Sequence, residues 1–569
     1  MRRTALILLA IGSCDRDQSF RDQSNGNVWS RDAKVHTERA YVYGLVTNAR
    51  TGDWVDPGEV DVGDKPTTTR RGFFLVSDVP PGRLLIQIRA PGFAPGTKPV
   101  EVPQNGGVFV DLALLPFEAT ATFDASEGGT VSTEDGTSVT FPPCAEGSGA
   151  VTASLASIQV GELYGGKGGE LDWCGLNAMP GDFSTEQGDM LETFGAFAVD
   201  VRDEEGNPVV GECVGAEVRL SPAGNPPDAV DQWTFDPDAG KWTEAGGGFD
   251  CWSDDPAGSG CQADLPNLGW WNCDQPIETT CLRACVVDEK GDAAPGVEVI
   301  AQGVNYAGRA MAFTGEDGCA CLAVLRAGTV EVGAIGSTGI SQSEWFTARD
   351  ATASCSSGEC DQLPETLRGS RPAFQAFLIM DEVRPDQYAS PTAQLTGPCG
   401  QGDAEDLGKA GAWLRSWVLP EARAQSSDGL GCAGDVFHIC SPAWEEGDSG
   451  NAFDPPYAYI EGGFPCVQAR LEITAITRFQ TGRYRYSVAP IGDGPMAGAT
   501  VFVVLPTGVV REMALPSGAV EDAVWIVGDI ECDANVCGWK PVNQVVPADD
   551  PTAFAPDGLA PACPDRTIP

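Results

Sequence analysis

From Tyr41 onward, apolar and polar residues alternate over short runs that turn residues interrupt. In Leu85-Ile86-Gln87-Ile88-Arg89-Ala90 the apolar Ile86, Ile88 and Ala90 alternate with Gln87 and Arg89, and Val330-Glu331-Val332 repeats the pattern. A period of two predicts strands with one buried face. Further strands are predicted over 192–201, 233–236, 469–473, 484–488, 500–504 and 523–530, with Gly, Pro, Asn and Asp marking the turns between them. Helical periodicity is nearly absent. The best helix candidate is 405–418, where Leu407, Ala410, Trp413, Leu414 and Trp417 fall at helical spacing. The expected fold is all-β, built from tandem β-sandwich modules of immunoglobulin-like type.

The pattern contains an internal repeat. One copy runs Tyr41-Val42-Tyr43-Gly44-Leu45-Val46, the turn Thr51-Gly52-Asp53, Val60-Asp61-Val62, Gly72-Phe73-Phe74-Leu75, Val79-Pro80-Pro81-Gly82 and Pro91-Gly92-Phe93. The other runs Leu282-Arg283-Ala284-Cys285-Val286-Val287, the turn Lys290-Gly291-Asp292, Val297-Glu298-Val299, Glu316-Asp317-Gly318 and Val330-Glu331-Val332. The first copy resembles a carboxypeptidase regulatory-like domain, a small prealbumin-type sandwich, over about residues 40–115. Gly44-Leu45-Val46 stands for its G-x-V strand, and Thr68-Thr69-Arg70-Arg71-Gly72 replaces its T-D-x-x-G turn without the acidic residue. The second copy, 276–367, is a divergent member with added cysteines. The resemblance concerns the accessory module alone. The zinc peptidase that gives the family its name needs an H-x-x-E pair, whereas His36 and His438 are the two histidines of this chain and neither has Glu three residues on. The resemblance therefore implies no zinc carboxypeptidase.

Between the copies, residues 116–275 read as a β-sandwich region. Its series Gly128-Gly129-Thr130-Val131, Asp135-Gly136-Thr137, Val139-Thr140-Phe141-Pro142 and Trp233-Thr234-Phe235-Asp236 resembles segments found beside regulatory-like domains in bacterial surface proteins and, more weakly, in cartilage intermediate layer protein, which are not known to be catalytic. Residues 368–546 read as a C-terminal β-sandwich domain, and 547–569 as a Pro-rich tail.

The amino terminus adds location. Met1-Arg2-Arg3 precedes an apolar run ending Ile11-Gly12-Ser13-Cys14. A basic start and a short apolar run make a signal peptide, too short to span a membrane as a helix. Its end resembles the bacterial lipobox, so residues 1–14 are read as signal peptide and lipobox, with lipidation at Cys14. Residues 15–39 are read as a polar tether. The expected location is the bacterial cell envelope, lipid-anchored and facing periplasm or exterior. The chain has 20 Cys, and exported chains with many cysteines form disulfides. Cys355 with Cys360, and Cys532 with Cys537, are spaced for local loop bridges. Cys281 and Cys285 share one strand face and Cys319 and Cys321 another, which allows cross-pairing. Four such thiols also suit zinc, an alternative that an oxidising compartment disfavours. Removing Cys14 leaves an odd number, hence at least one free or intermolecular cysteine.

Composition narrows the function. With 36 Lys+Arg against 81 Asp+Glu, the net charge is −45, which repels phosphate backbones and excludes general nucleic-acid binding. Gly447-Asp448-Ser449-Gly450 matches a short serine-protease signature, but His438 is the nearest base and the flanking pattern is missing. Acidic turns such as Asp203-Glu204-Glu205-Gly206 and Asp288-Glu289-Lys290-Gly291 offer oxygens for structural calcium, yet lack EF-hand spacing and suit hairpin closure. Trp233, Trp242, Trp252, Trp270 and Trp271 are either core or a sugar-stacking surface. The expectation is a non-catalytic, cofactor-free envelope protein with a structural or adhesive role. Its expected partners are the membrane, through lipid, and surface proteins or glycans. The rivals are a carbohydrate-binding protein and a hydrolase with its site after Arg368.

Overall fold

The computed structural model describes residues 28–30, 40–158 and 178–379 less short internal stretches, 391–398, and segments between 432 and 553. Every regular element among the described residues is a strand, so the chain is all-β. The signal peptide with Cys14 and the helix candidate 405–418 lie outside the described residues.

After a short β1 (Val28–Ser30), the first sandwich comprises β2 (Ala40–Asn48), β3 (Glu59–Val62), β4 (Lys65–Thr68), β5 (Phe73–Val79), β6 (Gly82–Arg89), β7 (Gly96–Val102) and β8 (Gly106–Leu114). Its two sheets run β5-β2-β8 and β4-β3-β6-β7. β2 pairs antiparallel with β5 and parallel with β8. Ala40, Val42 and Val46 point into the sandwich with Val60, Ile86, Ile88 and Val110. Gly44 is opposite Val110, where an added Cβ would stand 1.9 Å from the Val110 carbonyl oxygen. Close strand approach therefore requires glycine at that position.

The second region is one ten-stranded sheet made of β9 (Ala119–Asp124), β10 (Gly129–Ser132), β11 (Ser138–Phe141), β12 (Ala150–Ile158), β13 (Met190–Arg202), β14 (Ala216–Leu220), β15 (Ala229–Asp236), β16 (Lys241–Trp252), β17 (Gly260–Leu265) and β18 (Gly269–Ile277). Its order is β10-β11-β14-β17-β16-β15-β18-β13-β12-β9. The sheet curls until its ends meet, with Phe123 of β9 and Phe141 of β11 at 5.6 Å between ring centroids. Phe197, Phe249 and Trp271 fill the interior.

The third sandwich comprises β19 (Thr279–Val287), β20 (Glu298–Gly303), β21 (Arg309–Phe313), β22 (Cys319–Leu325), β23 (Thr329–Gly336), β24 (Gly339–Gln342), β25 (Phe346–Thr347), β26 (Asp361–Gln362) and β27 (Leu367–Arg368). It repeats the topology of the first. β19 pairs antiparallel with β22, as β2 does with β5, and parallel with β26 and β27 where β2 has the nine-residue β8. β20, β21, β23 and β24 stand in the order β21-β20-β23-β24, matching β4-β3-β6-β7. A buried threonine pins the equivalent loop in each copy. Thr69 Oγ1 donates to the Val55 carbonyl and accepts from Gly58 N, both at 2.7 Å. Thr314 Oγ1 donates to the Ala294 carbonyl at 2.6 Å and accepts from Val297 N at 2.9 Å.

The fourth region comprises β28 (Phe374–Ile379), β29 (Pro391–Pro398), β30 (Cys432–Ala433), β31 (Val436–Cys440), β32 (Gly450–Asn451), β33 (Ala458–Gly462), β34 (Leu471–Ile476), β35 (Gly482–Pro490), β36 (Thr500–Val504), β37 (Val510–Ala514), β38 (Ala523–Cys532) and β39 (Val536–Pro547). One sheet runs β1-β39-β38-β35-β29-β31-β30 and the other β32-β33-β34-β28-β36-β37. Phe374, Tyr484, Tyr486, Trp525 and Trp539 form the core between them. Arg485 and Asp529, buried together, make two hydrogen bonds of 2.8 and 2.9 Å, the bidentate geometry that suits a desolvated pair. Part of the stretch expected to be a tether is strand instead: Val28–Ser30 pairs antiparallel with Val536–Gly538. The edge of β39 offers unpaired backbone groups that an extended segment satisfies.

Candidate functional site: a shared apolar junction and a cysteine-strapped face

The outer face of β5-β2-β8 carries Tyr41, Tyr43, Leu45, Phe73 and Phe109. Because β2 is apolar at nearly every position, both its faces require cover. The cover is Ile300, Met311 and Ile335 from the third sandwich, and Phe377, Ile379, Ile473 and Phe502 from the fourth region. Phe377 stands among three rings of the first sandwich: Phe73 at 5.5 Å, Tyr43 at 6.3 Å and Phe109 at 6.3 Å between centroids. Phe73 also stacks on Phe502 at 4.7 Å. The Tyr43 hydroxyl donates to Gln375 Oε1 at 2.7 Å in this buried contact. The modules are therefore packed together around the first sandwich.

A second junction joins the first sandwich to the curled sheet. Ala94, Ala113 and Leu115 pack with Ile158, Trp233, Trp242 and Trp270, and Trp270 Nε1 donates to the Pro95 carbonyl at 2.7 Å. This placement corrects the sugar-stacking reading. Trp233, Trp242, Trp270 and Trp271 are all buried, and Trp252 is half-buried with the Arg219 guanidinium 5.1 Å from its ring centroid. The faces of the four buried indoles are occupied by the protein's own core.

Polar groups are buried where the modules meet. Lys98 and Glu298 form an ion pair of 2.7 Å between the first and third sandwiches, and Lys98 Nζ also donates to the Asp111 carbonyl at 3.0 Å. Beside it a cavity of ≈10 Å³ is lined by Thr97, Lys98, Met179, Phe183, Arg309 and Met311. That is room for about one water and no ligand. Between the curled sheet and the third sandwich, Thr193 N donates to the Ala307 carbonyl at 3.0 Å. The adjacent Asp274 carboxylate is fully buried and accepts from Thr193 Oγ1 and from Asn272 Nδ2. Burial pushes its carboxyl well above the usual range, the Thr193 hydrogen bond opposes this, and the charge of Glu192 adds to it. Burial likewise pushes the nearby Tyr306 phenol up to about 12.

The outer face of β19 is covered differently. Its register sets Cys285 opposite Cys319 and Arg283 opposite Cys321. Cys285 is bonded to Cys319, Cys281 to Cys360 and Cys321 to Cys355. The expected local bridge between Cys355 and Cys360 is therefore corrected. The segment carrying both crosses the sheet as a strap, and each sulfur meets a strand cysteine instead of the other. Cys532 and Cys537 face each other across β38 and β39 and are bonded, as are Cys251 and Cys261 across β16 and β17. Among the described residues Cys273 is the free thiol, raised in pKa by burial and then by Asp274. Its sulfur and those of Cys251 and Cys261 lie within 4.8 Å of one another, as do those of Cys281, Cys321 and Cys360. Sulfurs already joined in disulfides offer no thiolates to zinc.

Gly447, Asp448 and Ser449 of the protease-like motif lie outside the described residues, while Gly450 opens β32 and His438 is in β31. The acidic turns serve as hairpin closures. Asp203 accepts from Asn207 N at 2.8 Å, and Asp288 from Asp292 N at 2.9 Å. In the C-terminal region the buried carboxylates Glu472 and Asp529 are held by Ala393 N and Arg485. The buried threonines and the Lys98–Glu298 pair carry no sequence motif that would mark them.

No family model matches the chain, and no curated protein matches it. Among solved structures it is similar to the Bacillus anthracis TIE protein at 11% identity, covering 58% of this chain and 50% of that one, with a TM-score of 0.14. The chain thus spans half the length of that protein. It is similar to BcpA, the major pilin subunit of Bacillus cereus, at 6% identity, covering 58% of this chain and 99% of that one, with a TM-score of 0.13. A streptococcal ancillary pilin matches at 9% identity, covering 52% and 92%, with a TM-score of 0.15. These neighbours are bacterial pilin and surface proteins with β-sandwich domains. At such TM-scores the likeness carries no argument, and the fold rests on the sheet registers given above.

Proposed function

We propose that this chain is a non-catalytic, lipid-anchored protein of the bacterial cell envelope that acts as a rigid scaffold for adhesion or assembly. The observation that supports this best is the outer face of β2, which packs against two other modules through Tyr43, Phe73, Phe109 and Phe377. A protein that must hold a fixed shape outside the cell gains from such junctions and from cross-strand disulfides. Location rests on the Cys14 lipobox, and the regulatory-like resemblance of residues 40–115 fits an accessory, non-enzymatic module. Partners are surface proteins or glycans, met across a solvated acidic exterior, and nucleic acid is not among them. The test is metabolic labelling with palmitate in a bacterial host. Label should enter the wild-type chain, and Cys14→Ala should lose both label and membrane association. An unlabelled wild-type chain, or label unchanged in Cys14→Ala, overturns the anchored reading.

A further inference from the structure

The geometry points to a thiol–disulfide exchange site on the strapped face of the third sandwich, one that captures an external thiolate at Cys355. Two disulfides lie side by side there, Cys321–Cys355 and Cys281–Cys360. Across them the Cys321 and Cys360 sulfurs, not bonded to each other, are 3.4 Å apart, within the near-attack range of about 3–3.5 Å for reacting atoms. The pairs differ in access. Cys355 is exposed, whereas Cys281 is buried. The Cys321, Cys360 and Cys281 sulfurs lie within 4.8 Å of one another, a bent cluster in which Cys321 must swing into line with the Cys281–Cys360 bond before it attacks.

Exchange proceeds by thiolate attack on a disulfide sulfur, with the other sulfur leaving as thiolate. A small-molecule or protein thiolate attacks Cys355 Sγ, forms a mixed disulfide with Cys355 and expels Cys321 as thiolate. Cys321 then attacks Cys360 Sγ, forming a Cys321–Cys360 disulfide and expelling Cys281, which takes a proton from solvent. One thiolate enters and one thiol results; the number of disulfides rises by the one that holds the partner and falls by one within the chain, so no electron is gained or lost. Buried Cys281 is a suitable final thiol, because a neutral cysteine packs as a small apolar side chain. The result is an external thiol held covalently at the surface, with the strap reattached through Cys360 alone.

The test is disulfide mapping of the full-length chain by mass spectrometry, after acid quenching and unfolding in excess maleimide. In Cys355→Ser, the orphaned Cys321 should re-pair, giving a Cys321–Cys360 peptide with maleimide on Cys281. In Cys281→Ser, the same peptide should form with maleimide on Cys355. Wild-type chain exposed to limiting glutathione should show that peptide together with glutathione on Cys355, a measurement that stands even where a variant misfolds. Retention of Cys281–Cys360 in Cys355→Ser and of Cys321–Cys355 in Cys281→Ser, or glutathione uptake without any Cys321–Cys360 peptide, overturns the proposal.

Discussion

The first and third sandwiches share one topology, yet the equivalent strands β2 and β19 are covered on their outer faces by different means. β2 presents Tyr41, Tyr43 and Leu45, and neighbouring modules supply Phe377, Ile300 and Ile473 against them. β19 presents Cys281, Arg283 and Cys285, and the chain's own strap crosses over them, fixed by two of the face's three disulfides. The neighbouring strand differs accordingly. β8 runs beside β2 for nine residue pairs, whereas β26 and β27 give β19 two pairs each. A face short of strand hydrogen bonds and apolar partners is secured covalently, and a face rich in both is secured by packing.

The largest effect that would break this comparison is expected from Phe377→Ala. Phe377 is fully buried among three rings of the first sandwich, so truncation should cost about 3–5 kcal/mol, read from urea unfolding of the full chain. Next is the double substitution Cys285→Ala with Cys319→Ala, which opens a bridge spanning 34 residues and should cost about 2–4 kcal/mol. Hydrogen exchange sharpens the contrast: reductant should speed exchange of β19 amides and leave β2 amides unchanged. A smaller effect, about 1 kcal/mol, is expected from Tyr43→Phe, which removes the buried hydrogen bond to Gln375.

Burial raises the folded pKa of Asp274 above that of the unfolded chain. Below the unfolded carboxyl pKa of about 3.9 both states carry the proton and its contribution is fully present. As pH rises above that value the unfolded chain ionises first, so stability falls until pH passes the raised folded value. Asp274→Asn should flatten this part of a stability–pH curve recorded by thermal melts.

Much of the fold is legible in the sequence because strand alternation follows from backbone geometry. The run 85–90 predicts its strand, and the repeat predicts two sandwiches of one kind. Cross-pairing between the strand of Cys281 and Cys285 and that of Cys319 and Cys321 is legible as a possibility, but it holds for Cys285 with Cys319 alone, since Cys281 and Cys321 bond to the strap. Cys355 and Cys360 could not be paired correctly, because nearness in sequence does not say which way a strap crosses a sheet. The tryptophans of 233–271 were ambiguous for a related reason. An indole buried between modules and one open to sugar have the same local pattern, and only packing separates them. The run Tyr41-Val42-Tyr43-Gly44-Leu45-Val46 does carry a readable signal, since a strand without polar positions needs cover on both faces, but which modules supply it depends on contacts more than 250 residues away.

The first, third and fourth modules should unfold as one body because they share the face of β2. Calorimetry of the oxidised full-length chain tests it most directly, by comparing calorimetric with van't Hoff enthalpy. A single transition with a ratio near one is expected, which Phe377→Ala splits into two. A wild-type chain that already melts in separate steps, unchanged by Phe377→Ala, would contradict it.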